Sequence, residues 1–132
     1  HEIAVVEMGA SHPGDIKTLV DIVEPDCGII TNVGRAHLQG FGSFEGVVKT
    51  KGELYDFLRT RPDSVVFIHN DNDHLLGIAH DLKLVRYGCK ASPDLYVYGQ
   101  VTECAPFLNF EWRHLDGPMH TVHTHLIGSY NI

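Results

Sequence analysis

The stretch SFEGVVKTKGELYDFLRTRPDSVVFIHN, residues 43–70, decides what kind of fold this chain can adopt. From Ser43 onward, Phe44, Val47, Val48, Leu54, Tyr55 and Leu58 recur at spacings of three and four, which draws one apolar stripe along a helix over 43–59. Ser43 is placed to cap that helix. SVVFIHN (64–70) then reads as a short buried strand. The same alternation extends both ways. Upstream, EIAVVEMG (2–9) predicts a buried parallel strand closed by Gly9, and CGIITNVG (27–34) predicts a second. Between them PGDIKTLVDIVEP (13–25) predicts a short helix with Ile16, Leu19, Val20 and Val23 on one face. Downstream, NDHLLGIAHDL (72–82) predicts a helix and KLVRYG (83–88) a fourth strand.

This is the pattern of an α/β fold, a mostly parallel sheet flanked by helices over residues 1–90. The character changes after that. DLYVYGQVTEC, FLNFEWRHL and MHTVHTHLIG are strand-like with no helix between them, which predicts an added antiparallel meander over 91–127.

The 132 residues suffice for one domain with a real core. With 43% hydrophobic and 20% charged residues the composition is that of a soluble globular protein. A net charge of −7 with no basic cluster excludes a nucleic-acid surface held by phosphate contacts. It leaves anionic ligands open, because helix N-termini and bound metal can hold phosphate. Cys27, Cys89 and Cys104 are widely spaced with no CxxC, which predicts free thiols in a reducing cytosol. No apolar run approaches the roughly 20 residues of a membrane span, and no signal peptide is visible. The chain opens on HEIAVVEMGA without a Met and stops at GSYNI, so a piece of a longer protein is expected.

In doubly wound sheets, ligands collect at the C-terminal ends of parallel strands. Glu7, Thr31, Asn32, Asn70 and Asp71 fall at such ends, and His37 lies in the following loop, where Gly34, Gly40 and Gly42 permit close backbone approach. Each polar residue alone could equally be a cap for the next helix. Lys51 is the sharper anomaly, since it falls inside the apolar stripe while Lys49 points away. Either its stem covers apolar surface and the ammonium escapes to water, or it is buried with a depressed pKa. A neutral amine could act as a base, form a Schiff base, or take up carbon dioxide as a carbamate. A carbamate at Lys51, with Glu7 and His37 nearby, would make a hard, oxygen-rich magnesium site. Gly52, inside the same helix, calls for close packing against a neighbour.

Two histidine-rich stretches read otherwise. HNDNDH (69–74) lacks the Gly and Glu of an EF-hand loop. HTVHTH (120–125) puts His123 and His125 on one strand face and His120 on the other, with no acidic or Cys partner nearby, and reads as a solvated face.

VVEMGASHPGDI (5–16), ITNVGRAHLQGFGSFEGVVKTKGEL (30–54) and IHNDN (68–72) together resemble the central domain of the Mur ligases. Folylpolyglutamate synthetase and other muramyl ligases share the frame from His37 to Lys51, but not the GFGS wording of residues 40–43. The resemblance implies an ATP- and Mg2+-dependent amide ligase of the cytoplasm. Its substrates would be UDP-N-acetylmuramoyl-tripeptide and D-Ala-D-Ala, joined through an acyl phosphate in peptidoglycan synthesis. It implies Glu7 and His37 as magnesium ligands and Lys51, fourteen residues after His37, as a carbamylated lysine completing that set. Asn32 and Asn131, the latter in a GSYNI that resembles the family's GxxNxxN, would lie near the nucleotide. The chain carries no GxxGK[ST] phosphate loop and neither of the flanking domains, so the piece alone is expected to be inactive and Lys51 in it often uncarbamylated. Another ligase of the superfamily with a different acceptor, or a non-catalytic scaffold homologue, would share these features.

Overall fold

A computed structural model describes residues 1–34 and 38–128. In chain order the elements are α1 (Asp15–Val23), β1 (Cys27–Ile29), α2 (Leu38–Phe41), α3 (Phe44–Arg59), β2 (Val65–His69), α4 (Asp73–Ile78), β3 (Leu84–Gly88), β4 (Leu95–Cys104), β5 (Leu108–His114) and β6 (His120–His123). The strands follow one another in the sheet in that same order, giving a mixed six-stranded sheet with flanking helices, parallel at first and antiparallel toward the C-terminus. The chain divides into two compact units, residues 1–68 with 72–84 and residues 69–71 with 85–132.

The first unit is organised by α3. Ser43 Oγ accepts the Gly46 amide at 3.1 Å and starts the helix as its sequence predicts. Val47, Leu54, Tyr55 and Leu58 are buried along the expected stripe. Leu54, Tyr55 and Leu58 meet Ile16 and Val20 of α1, Val66 and Ile68 of β2, and Leu75 with Ala79 at the end of α4. β1 and β2 pair in parallel from Cys27↔Val65 to Ile29↔Phe67. Gly28 lets α3 come down on β1, since a Cβ there would sit 2.7 Å from Leu58 Cδ1. Gly52 has the neighbour its position called for: a Cβ would lie 3.2 Å from Ile78 Cδ1 of α4.

Two expected strands differ. EIAVVEMG forms no strand; Ile3 and Val5 are 84% and 95% exposed, and only Met8 and Ala10 pack on the core. A strand apolar on both faces forms when it has a ladder partner and a layer over each face, and among the described residues its backbone has no ladder partner. CGIITNVG keeps only Cys27–Ile29 as strand, and Ile29 is half exposed, while Ile30 and Val33 turn into the core from the following loop. The short helix α2, inside the glycine-rich loop, was not foreseen.

In the second unit, β4 pairs antiparallel with β5 and β5 with β6, as the meander predicts. On its other edge, however, β4 runs parallel to β3, with Arg86 opposite Leu95 and Gly88 opposite Tyr98. Parallel neighbours usually need a crossover of a dozen or more residues. Here residues 89–94 suffice, because the Asp71 carboxylate takes the Cys89 and Lys90 amides at 2.6 and 3.1 Å and bends the chain at the end of β3. One face of the antiparallel sheet carries a polar row. Tyr98 Oη donates to Gln100, Gln100 Nε2 to Glu111 at 3.0 Å, and Thr121 Oγ1 to Glu111 at 3.4 Å. Phe110, Trp112 and Val122 lie on the opposite face, and His120 stacks on Trp112 at 5.0 Å.

Candidate functional site

Lys51 lies halfway along α3, half-buried in the stripe that turns toward the sheet. Its Nζ donates to the backbone carbonyl of Asn32, in the loop after β1, at 2.6 Å. Loss of water around the ammonium pulls its pKa below the ordinary lysine value. The amine therefore folds back onto the loop at the strand end, where a purely snorkelling lysine would extend into solvent. Asn32 meets Lys51 through its backbone, which residue-type reasoning could not anticipate. Lys49 is exposed, as expected.

Glu53, two residues on, was not singled out by sequence. α1 begins at Gly14 with φ 91° and no side-chain cap of its own. Its first amides have no partner within the helix. Glu53 supplies one from α3: Gly14 N donates to Oε1 and Lys17 N to Oε2, both at 2.8 Å. The preceding turn is closed by Asp15, whose Oδ2 accepts the Ser11 and His12 amides at 2.8 Å each. Those two bonds hold its carboxyl below the usual aspartate value. Ser11 also presses on α2, where a Cβ at Gly40 would be 2.1 Å from the Ser11 carbonyl oxygen. Gly40 thus permits the close approach expected of the loop, Gly42 takes a left-handed φ of 74°, and a Cβ at Gly34 would meet nothing among the described residues nearer than Asn32 Nδ2 at 3.7 Å.

The other expected site residues are placed differently. Glu7 is exposed, in a segment that is not a strand. His37 and Asn131 lie outside the described residues. Among the described residues no three His, Cys, Asp or Glu side chains group to hold a metal. Thr31 is exposed in the loop after β1. Asn70 accepts from Arg86 at 2.8 Å, and Asp71 holds the turn after β3, so both strand-end groups are spent on local structure. In HNDNDH, Asn72 caps α4 through the Leu75 amide, His69 stacks on Tyr87 at 5.3 Å, and His74 meets the edge of Phe44 at 4.8 Å. In HTVHTH, His125 lies edge-on to Phe107. Cys27, Cys89 and Cys104 are free and exposed. No helix among the described residues is long and apolar enough to cross a membrane.

A helix carrying an inward lysine beside a strand-end loop, on a mixed six-stranded α/β sheet, is the frame of the candidate site. The family model of the Mur ligase middle domain matches residues 1–132, and the chain belongs to this family. It is 31% identical over 131 residues to the UDP-N-acetylmuramoyl-tripeptide–D-alanyl-D-alanine ligase of Bacillus subtilis, covering 99% of this chain and 27% of that one. The ligase of the same name from Haemophilus influenzae is 41% identical over 75 residues, 57% of this chain and 16% of the relative. Among solved structures, MurF from Acinetobacter baumannii superposes with a TM-score of 0.80 at 27% identity, over 99% of this chain and 28% of that one. MurF from Thermotoga maritima, solved in complex with ADP, gives 0.72 at 25% identity over 88% of this chain and 26% of that one. The chain thus spans about a quarter of the length of such full-length relatives.

Proposed function

We propose that the protein carrying this chain is an ATP-dependent ligase that adds D-alanyl-D-alanine to UDP-N-acetylmuramoyl-tripeptide in peptidoglycan synthesis, in the cytoplasm, and that this chain contributes part of its ATP- and magnesium-binding domain. The family match over the whole chain and the names of its relatives support that substrate pair. The ADP in the Thermotoga maritima relative supports the nucleotide.

The observation that carries the mechanism is Lys51, half-buried with its amine turned onto the Asn32 carbonyl and its pKa lowered by burial. As an ammonium it is no metal ligand. As a neutral amine it can attack carbon dioxide, forming an N–C bond and releasing one proton to water, which leaves a carbamate with two oxygen donors. The donor chemistry then fits magnesium, with the Glu7 carboxylate, the Lys51 carbamate and the His37 imidazole as its protein ligands. Magnesium, when bound, would screen charge between the phosphates and the oxyanion that develops at the acyl carbon. The family resemblance implies nucleotide-binding roles for Asn32 and Asn131. The tripeptide carboxylate takes the γ-phosphoryl group of ATP and ADP leaves. The D-Ala-D-Ala amine then attacks the acyl phosphate, so that the amide forms as phosphate leaves.

Phosphate release by the full-length protein, with ATP, magnesium and UDP-N-acetylmuramoyl-tripeptide, tests this. Release that requires D-Ala-D-Ala, and that falls by about 10²–10³-fold in Lys51→Ala, is expected. Release indifferent to the dipeptide would reassign the acceptor. No release from the folded protein would leave only a scaffold.

A further inference from the structure

We infer that Glu53 is a positioning residue: its carboxylate clamps the N-terminus of α1 to α3, and so fixes the segment bearing Glu7 against the helix bearing Lys51. This rests on the magnesium reading proposed above.

The clamp joins parts distant in sequence. Its acceptor is on α3, and its donors, the Gly14 and Lys17 amides, lie 39 and 36 residues earlier. Two charge-assisted bonds to one carboxylate fix both distance and angle, and the carboxylate sits where the helix dipole favours negative charge. From Gly14 the chain runs back toward Glu7 along a path tied down at several points. Asp15 closes the turn at Ser11 and His12, Ser11 abuts Gly40, and Ala10 and Met8 pack on the core. A shift of the α1 N-terminus would therefore carry Glu7 with it.

Lys51 answers to a different anchor. Residues two apart on a helix face different sides. Lys51 reaches the loop after β1 at Asn32, while Glu53 reaches α1. Gly52, between them, is buried toward Ile78. One turn of α3 thus holds two loops independently, and releasing Glu53 moves one proposed ligand while leaving the other. A cap that merely stabilised α1 would change stability alone.

The test uses the full-length protein and three variants. In Glu53→Gln only one oxygen can accept, and the amide nitrogen is turned toward the second donor; Glu53→Ala removes both bonds. Mn2+ binding, read by electron paramagnetic resonance as a stand-in for magnesium, is expected to weaken by about 10-fold in Glu53→Gln and about 100-fold in Glu53→Ala. Hydrogen exchange at the Gly14 and Lys17 amides should speed up in both, with the KM for D-Ala-D-Ala unchanged. Lys51→Ala should weaken Mn2+ binding without changing exchange at those two amides. If Glu53→Ala does not fold, Glu53→Gln, which keeps the volume and one bond, carries the test. Faster exchange at Gly14 and Lys17 with unchanged Mn2+ affinity would overturn the inference and leave the magnesium reading standing. Mn2+ affinity unmoved by Lys51→Ala as well would overturn that reading, and this inference with it.

Discussion

The two compact units obtain their order in different ways. In the first, residues from α1, α3, α4, β2 and the loop after β1 close around one apolar interior, with Val20, Tyr55, Leu58, Val66, Ile68 and Leu75 at 0 or 1% exposure. In the second, only Leu95 and Leu108 are buried among the large apolar side chains described, and Phe110 and Trp112 are half-buried. There the organisation lies in strand register and in side chains that pair across it: Gln100 with Glu111, Glu111 with Thr121, His120 with Trp112. One unit is specified mostly by which residues are apolar, the other mostly by which residues stand opposite each other. Glu7 and Lys51 fall in the first, where a single helix can hold several loops at fixed distances.

The comparison breaks most easily at the core. Leu58→Ala, at a fully buried position touching β1 through Gly28, is expected to cost about 2–5 kcal/mol. Phe110→Ala, on the half-buried face of β5, should cost about 1 kcal/mol, because much of its ring is already in water. Urea denaturation of both variants gives the two values side by side. Equal costs would mean that the second unit has a closed core of its own.

The same contrast explains what was legible in the sequence. The stripe from Phe44 to Leu58, its Ser43 cap and its anomalous lysine could all be read, because helical period and capping are local. Gly52 announced a close neighbour without naming Ile78. EIAVVEMG misled because apolar content measures what a segment could bury, whereas a strand also needs a ladder partner beside it. The parallel pairing of β4 with β3 was hidden for a related reason: it depends on Asp71 gathering two amides 18 and 19 residues away. Within the site, Lys51 stood out because it breaks a pattern. Glu53 did not, since a glutamate on a helix surface is ordinary until α1 is seen to lack a cap. Asn32, expected as a polar residue at a strand end, makes its described contact with Lys51 through its backbone carbonyl, which every residue has.

A smaller effect probes the polar row of the second unit. Glu111 accepts from Gln100 and Thr121, on the strands either side of it. Glu111→Ala should lower stability by about 1 kcal/mol, the usual net worth of such bonds at half-buried positions. Hydrogen exchange should place the loss in β4 to β6 and leave the amides of α3 and β2 protected. Loss of protection spread through α3 would mean that the two units unfold as one, which would blunt the contrast between them.

The smallest effect concerns charge at the surface of the first unit, where the comparison is least sharp. Asp15 is half-buried, and its carboxyl is held below the usual 3.8 by the Ser11 and His12 amides. The unfolded chain loses those bonds and therefore binds the proton more tightly than the native state. The stability Asp15 supplies is accordingly complete above pH 3.8 and is lost as pH falls through the lower native value. Asp15→Asn has no charge to lose. Denaturation midpoints followed from neutral pH to well below 3.8 should show wild type ahead at the start, with the gap closing on the acid side. A gap that stays constant with pH would mean that the turn is held by shape alone. Asp15 would then do by geometry what Glu53, two oxygens on two amides, is inferred to do by charge and geometry together.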